Sequence, residues 1–360
     1  MRYFEFLAIG DVHLEAHSRY SLLPNFIDPI KSIMRQIVDY AKNCGVSTIF
    51  QLGDVFHTPY PLKTTQIEWL KMLDPSIDWH IICGNHDYVY NDELQTEDLG
   101  DANAYTILKF YESMKALPYI HIYTSREYKK VGGIPFNFLP FPYTKPEKKY
   151  QDKITGKQSI KLGHFEVSGY KMDNGFDIKS DTKCDGLTIL GHIHTSQFPV
   201  YPGSIIQSNF GEDPKKCFYH CSATLKNGKI KLERKVVPIK LPFQLITIKV
   251  SKEEDLKLLD KYKDTLTQKY ILKLIVDKSF TLPANLKQKY SNIETIVGCS
   301  SKAQADALEK GVLLDSSVDT NLLDEKQLLK QNLKNQGLSK SQIKEAIKIV
   351  KKIKPFSIVE

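Results

Sequence analysis

The sequence predicts a layered α/β domain with its sheets packed between helices (α/β/β/α), then a small α+β unit and a C-terminal pair of helices. Two observations carry this. Through the first half of the chain, short apolar runs alternate with stretches of helical periodicity, the rhythm of βαβ units. Further on, the apolar runs crowd together, and the prolines at 238 and 242 mark where a new unit begins.

Residues 3–9 read as the first strand. Ile30, Ile33, Met34, Ile37, Val38 and Ala41 then recur at helical spacing, a stripe that stops near Asn43-Cys44-Gly45. Residues 48–52 follow as a strand, 64–73 as a helix and 80–83 as a third strand, with further strands at 120–123, 134–139, 160–164 and 187–190. This domain is expected over residues 1–240. The second unit, 241–300, reads as strand 244–250, helix 253–262, strand 270–276, short helix 284–290 and strand 293–297. Residues 301–323 are polar without a clear period and are expected to be a linker. In residues 324–360, one helical pattern stops at Asn335-Gln336-Gly337. A second opens on the capping box Ser339-Lys340-Ser341-Gln342 and ends before Pro355.

With 360 residues, 41% hydrophobic and 26% charged, the composition is that of an ordinary globular chain with room for more than one core. No apolar run approaches the ~20 residues that span a bilayer, so no membrane role is expected. The N-terminal apolar stretch holds Glu5 and reads as a strand, not a signal peptide; the expected location is the cytoplasm. Six scattered cysteines suit small buried hydrophobes. Only Cys217-Phe218-Tyr219-His220-Cys221 resembles a zinc cluster; it lacks a second ligand pair, and its alternation suits a buried strand. The net charge of +8 favours a polyanionic partner without establishing one.

Five short motifs stand at strand-to-loop junctions: Asp11-Val12-His13, Gly53-Asp54-Val55-Phe56-His57, Gly84-Asn85-His86-Asp87, Gly163-His164 and Gly191-His192-Ile193-His194. Ligand sites in α/β sheets lie beyond the carboxyl ends of strands, so the repeated placement is informative. Asp, Asn and His supply oxygen and imidazole donors, which suit manganese, iron or zinc. Two divalent ions roughly 3.5–4 Å apart can clamp an in-line phosphoryl displacement. Ions that close need a bridging carboxylate, and Asp54 is the natural candidate. One His is usually a hydrogen-bonded structural residue, and His80 and His121 read that way. Six of ten histidines inside such motifs is not coincidence.

In this order the motifs resemble the calcineurin-like metallophosphoesterase superfamily. The second motif lacks the G-D-x-x-D-R-G of protein phosphatases; with His57 it looks like the SbcD-type branch of DNA repair nucleases. Phe138-Leu139-Pro140-Phe141-Pro142 and the segment from Tyr201-Pro202-Gly203-Ser204 to Phe210-Gly211-Glu212 are similar to that branch as well. The short form looks like versions from bacteria and tailed phages, which would place it in the host cytoplasm if phage-encoded. The resemblance implies one ion held by Asp11, His13, Asp54 and His194 and a second held by Asp54, Asn85, His164 and His192, with Mn2+ the expected metal and Mg2+ the alternative. His86 would be catalytic without being a ligand, donating to the leaving oxygen. His57 would assist it, and Asp87 would stand behind His86 as the acceptor that orients it. It further implies a DNA exo- or endonuclease subunit, homodimeric within a heterotetramer with an SMC-like coiled-coil ATPase of the SbcC type, acting in recombination, repair and end processing.

The tail holds nine Lys against four acids over residues 324–360, with Ile343, Ile347 and Val350 on one apolar face. Folding back on the chain's own domain and docking on the ATPase base both remain open; the resemblance favours docking. A same-family phosphodiesterase or phosphatase with another substrate is the rival function. A decayed scaffold is disfavoured, since every ligand position is present. The acidic stretch 88–103 is a poor surface for DNA.

Overall fold

Leu7 and Ile9 enter one apolar cluster, Phe6 and Ala8 another, and all four are buried. A strand covered on both faces reads as a continuous apolar run, which is why residues 3–9 alternate so little. A computed structural model of the chain describes residues 1–87, 107–141, 158–263 and 269–309, positions 19, 24, 174 and 181 excepted.

Strand β1 (Arg2–Ile9) runs parallel to β2 (Thr48–Gln51), followed in parallel by β3 (Asp78–Ile82) and β4 (Ile120–Tyr123). Its other edge pairs antiparallel with β9 (Cys217–Lys226), which pairs antiparallel with β10 (Lys229–Pro238). In the second sheet β5 (Glu127–Val131) lies antiparallel to β6 (Ile134–Leu139), and β7 (Ile160–His164) and β8 (Thr188–Gly191) follow in parallel. Helices α1 (Ile27–Cys44), α2 (Lys63–Met72) and α3 (Ile107–Met114) pack on the first sheet through the cluster that holds Leu7, Ile9 and the six predicted α1 residues. Gly45, left-handed at φ 71°, ends α1.

Between the sheets, Phe136 of β6 stands 5.5 Å edge-on to Phe6 and 4.9 Å from Phe50, centroid to centroid. Phe136→Ala would cost about 3–5 kcal/mol by emptying that seam. Val167, Ile178, Ile193 and Tyr201 pack with Leu190 of β8 in a further cluster. The helical layer expected on the outer side of the second sheet is not among the described residues. Strand β5 was missed in the sequence because it is polar and mostly exposed, leaving no alternation to read. Cys217 and Cys221 are buried on β9 and free, while His220 instead meets Tyr40 Oη through Nδ1 at 3.1 Å.

The following unit is a parallel sheet of β11 (Gln244–Val250), β12 (Tyr270–Asp277) and β13 (Ile293–Cys299), with α4 (Lys257–Lys261) and α5 (Leu286–Lys289) supplying Leu259 and Leu286 to its core. The segment expected as a linker from 301 instead opens on α6 (Lys302–Glu309). Ala305 and Leu308 pack on Ile275, Val297 and Cys299. Two apolar positions give too short a pattern to read, yet they cover one side of β12 and β13. The unit is pinned to the first domain beside the motif loops. Glu294 accepts the N–H groups of Ser21 and Leu22 at 2.7 and 2.9 Å, and Gln207 exchanges two hydrogen bonds with the Leu245 backbone.

The chain divides into units of residues 1–313 and 314–360. The tail with Ile343, Ile347 and Val350, and the acidic stretch 88–103, lie outside the described residues. No helix among those described is long and apolar enough to cross a membrane.

Candidate metal centre

All five motifs fall at the carboxyl ends of parallel strands. Asp11 and His13 follow β1, Asp54 and His57 follow β2, and Asn85 and His86 follow β3; His164 ends β7, and His192 and His194 follow β8. Two sheets thus deliver their loops to one seam. The loops are stitched together: the N–H groups of Val12 and His13 donate to Asp54 O at 3.0 Å, Ile205 N–H to Asp11 O and Ser204 N–H to His194 O at the same distance. His13, Asp54 and His192 hold left-handed backbone at φ 48°, 53° and 90°. Such conformations cost about 1–3 kcal/mol for residues other than glycine and gather at functional sites. The loops also need Gly84, where an added Cβ would come within 2.0 Å of Asp54 Oδ1.

The donor atoms converge. His13 Nε2 lies 2.9 Å from His194 Nε2 and 3.8 Å from Asp54 Oδ2. On the other side of Asp54, His164 Nε2 lies 3.3 Å from the same oxygen and 2.8 Å from Asn85 Oδ1. His192 Nδ1 completes this side, 3.0 Å from Asn85 Oδ1. Among the described residues, Asp11 groups with His13 and His194, and also with Asp54 and His164, at spacings that suit metal ligands.

The hydrogen bonds behind the rings decide the donor character. His164 Nδ1 donates to Leu52 O at 2.7 Å and His192 Nε2 faces Glu166 Oε1 at 3.2 Å, so in its neutral form each ring turns a lone pair toward Asn85 Oδ1, itself an acceptor. Acceptors aimed at one another need a proton or a metal cation between them. Oxygens and imidazoles, with no thiolate, fit a divalent metal ion.

The electrostatics agree. Burial works against charge on His164, yet Asp54 and Asp11 raise it to about 9; His194, equally opposed by burial, is raised to about 9 by Glu212 and Asp11. Burial would raise Asp54, but His164, His13 and His86 hold it well below the usual carboxylate range. His13 is pushed well down by burial and by His194. Protons on His164 and His194 thus neutralise the carboxylates, and a bound cation would displace them.

His86 stands over this cluster. Its backbone N–H donates to Asp54 Oδ1 at 2.9 Å and its Nδ1–H to His57 O at 2.7 Å, with its ring 4.8 Å from that of His13. His13 and His57 line a small cleft with Phe26, Ile206 and Ser208. Asp87 does not orient His86 as expected. Its carboxylate accepts Gly84 N–H at 2.6 Å and Tyr111 Oη–H at 2.9 Å, so it braces the loop from beneath. The reason is directional: Asp87 is fully buried on the α3 side, whereas His86 is half-buried with its ring nitrogen Nδ1 turned to His57 O. Burial and then Asp54 push Asp87 up to about 7. Sequence reading missed three carboxylates: Glu166 behind His192, Glu212 behind His194, and Asp173, which accepts the N–H groups of His194 and Thr195 at 3.0 and 2.7 Å. Glu166 lies two residues past His164 and Glu212 ends the Gly-Ser segment; nothing marked Asp173.

The family model described as calcineurin-like phosphoesterase matches residues 4–196, more than half of the chain and every motif above. The chain belongs to the calcineurin-like phosphoesterase family. These are phosphoester hydrolases with a dinuclear metal centre, and the two donor groups flanking Asp54 accord with that. A protein named exonuclease subunit 1, from Enterobacteria phage T4, is 25% identical over 176 residues, 47% of this chain and 48% of that protein. The chain therefore spans about half the length of the curated relative it matches.

Proposed function

We propose that the chain is a two-metal, manganese-dependent phosphodiesterase that cuts DNA as the exo- or endonuclease subunit of a nuclease–ATPase complex in recombination, repair and end processing. The observation that carries the reading is the convergence of imidazole nitrogens on both sides of Asp54 Oδ2, with a third imidazole, His86, 4.8 Å from the His13 ring. Asp11, His13, Asp54 and His194 would hold one ion, and Asp54, Asn85, His164 and His192 the other. Two such ions would polarise the phosphate and lower the cost of generating the attacking oxygen.

The chain's own residues do the rest. Asp54 keeps the two positions at a fixed separation and fixes the His86 backbone through Oδ1. His57, through its carbonyl, holds His86 Nδ1–H, which leaves His86 Nε2 for the substrate. Water oxygen joins phosphorus as the phosphorus–oxygen ester bond breaks; the doubly protonated His86 passes its Nε2 proton to the leaving oxygen, and the proton shed by the water goes to solvent. Asp87 and Tyr111 keep the loop from moving as that charge develops.

His57 in place of a phosphatase Asp-Arg pair supports a diester substrate, the net charge of +8 a polyanion, and the name of the phage relative an exonuclease. A coiled-coil ATPase is the proposed partner, received by Ile343, Ile347 and Val350 of the tail, with the nuclease chain paired as a homodimer in the cytoplasm. The test is incubation with duplex DNA, a p-nitrophenyl phosphodiester and p-nitrophenyl phosphate, each with Mn2+ or Mg2+. Cleavage of DNA and of the diester is expected, with Mn2+ the better metal. Rapid hydrolysis of the monoester with DNA left whole overturns the reading.

A further inference from the structure

The two histidines of the last motif each rest on a carboxylate to which the two-ion scheme gives no part. His194 Nδ1 lies 3.1 Å from Glu212 Oε1, and His192 Nε2 lies 3.2 Å from Glu166 Oε1. In each ring this is the nitrogen opposite the one that faces the donor cluster.

The two carboxylates sit in different surroundings. Glu212 is 4% exposed. Besides His194 it accepts Lys216 Nζ at 2.7 Å, Asn209 Nδ2 at 2.8 Å and the hydroxyls of Ser204 and Ser208. Lys216, equally buried, also donates to the His194 carbonyl at 3.2 Å and to Ser204 Oγ at 2.7 Å. Burying an ion pair seldom improves on an apolar pair of the same volume, so stability alone does not account for this one. What it does locally is hold one imidazole from both ends, by ring nitrogen and by backbone carbonyl. The side chain of Glu166, by contrast, is 38% exposed.

We propose that Glu212, fixed by Lys216, and Glu166 are positioning residues for the two metal positions, each locking one imidazole so that its remaining lone pair points at an ion. The inference rests on the two-ion reading of the site. A carboxylate behind a ligating imidazole sets its tautomer and raises its basicity, and removing such a partner typically costs 10- to 100-fold in metal affinity. Glu212 governs the His194 side and Glu166 the His192 side, and the buried tether matters more than the exposed one.

The test is a calorimetric Mn2+ titration of the metal-free full chain, with electron paramagnetic resonance to tell a coupled ion pair from a single ion. Wild type is expected to take up two ions and give the coupled spectrum. Glu212→Gln is expected to weaken one binding step by about 10- to 100-fold and to leave a single-ion spectrum at Mn2+ levels that fill wild type. Glu166→Gln is expected to weaken the other step by a smaller factor. Since Glu212→Gln strands the Lys216 charge, the double variant Glu212→Gln/Lys216→Met restores the balance; it should melt like wild type and lose the same step. Two ions at wild-type affinity in the folded double variant overturn the proposal, as does simultaneous loss of both steps. A wild-type chain that binds no Mn2+ defeats the two-ion reading itself, a different outcome.

Discussion

His13 and His194, 181 positions apart in the chain, bring their Nε2 atoms to 2.9 Å of each other beside Asp54. Glu212 occupies the other nitrogen of His194, and His13 Nδ1 has no hydrogen-bond partner among the described residues. With His194 Nδ1 engaged by Glu212, a single proton between the two Nε2 atoms satisfies both rings, and a metal ion would take its place.

Asp54 faces both halves of the donor set through Oδ2, so Asp54→Ala is expected to abolish cleavage and the uptake of both ions together. Elemental analysis of the purified variant decides this. Two ions still bound per chain would show that another residue bridges.

His86→Ala should leave the metal content unchanged while lowering turnover by about 10²–10⁴-fold, the scale of lost general acid catalysis. The bond from residue 86 N–H to Asp54 survives the change, since it is made by backbone. Loss of one ion in the variant would make His86 a ligand, and normal turnover would remove it from the chemistry.

Asp87 and Tyr111 test the brace beneath the third motif. Tyr111→Phe removes one hydrogen bond and is expected to cost about 0.5–1.5 kcal/mol. Asp87→Ala leaves both Gly84 N–H and Tyr111 Oη–H without their acceptor and should cost about 2–6 kcal/mol, since each stranded group costs about 1–3. Urea unfolding at pH 7 measures both; equal losses in the two variants would mean that Asp87 carries no more than the Tyr111 bond.

His80 lies away from the motifs, stacked against Tyr123 and Phe138 with Nδ1 at 2.7 Å from Tyr123 Oη. Burial, then His121 and Lys129, depress it to about 2 from an ordinary value of 6.5, so the folded chain carries it neutral. Below that ordinary value the unfolded chain gains a proton that the folded chain refuses. Stability is therefore lost as pH falls from 6.5 toward 2, at about 1.4 kcal/mol per unit from this group. His80→Asn should shrink the stability difference between pH 7 and pH 5 by about 2 kcal/mol. An unchanged difference would place the acid sensitivity in other groups.

Removal of residues 324–360 is expected to spare cleavage of a small phosphodiester and to abolish co-purification with the ATPase. Ile347→Asp should mimic it by burying an unpaired charge in the proposed contact. Wild-type binding by either variant would make the tail a brace for its own chain.

The sequence by itself determined where the strands lie and which motif residues stand at their carboxyl ends. The apolar runs before Asp11, Asp54, Asn85, His164 and His192 became β1, β2, β3, β7 and β8, because strand formation and loop position follow from local pattern. Partnership did not follow from pattern. That Asp87 serves Gly84 and Tyr111 instead of His86, that Glu166 and Glu212 stand behind the last two histidines, and that 302–309 is a helix covering the β12–β13 face were decided only by the tertiary structure. The physical reason is range. Periodicity and turn chemistry report on a few neighbouring residues, whereas a hydrogen-bond partner is chosen by which loop ends two sheets bring to the same seam.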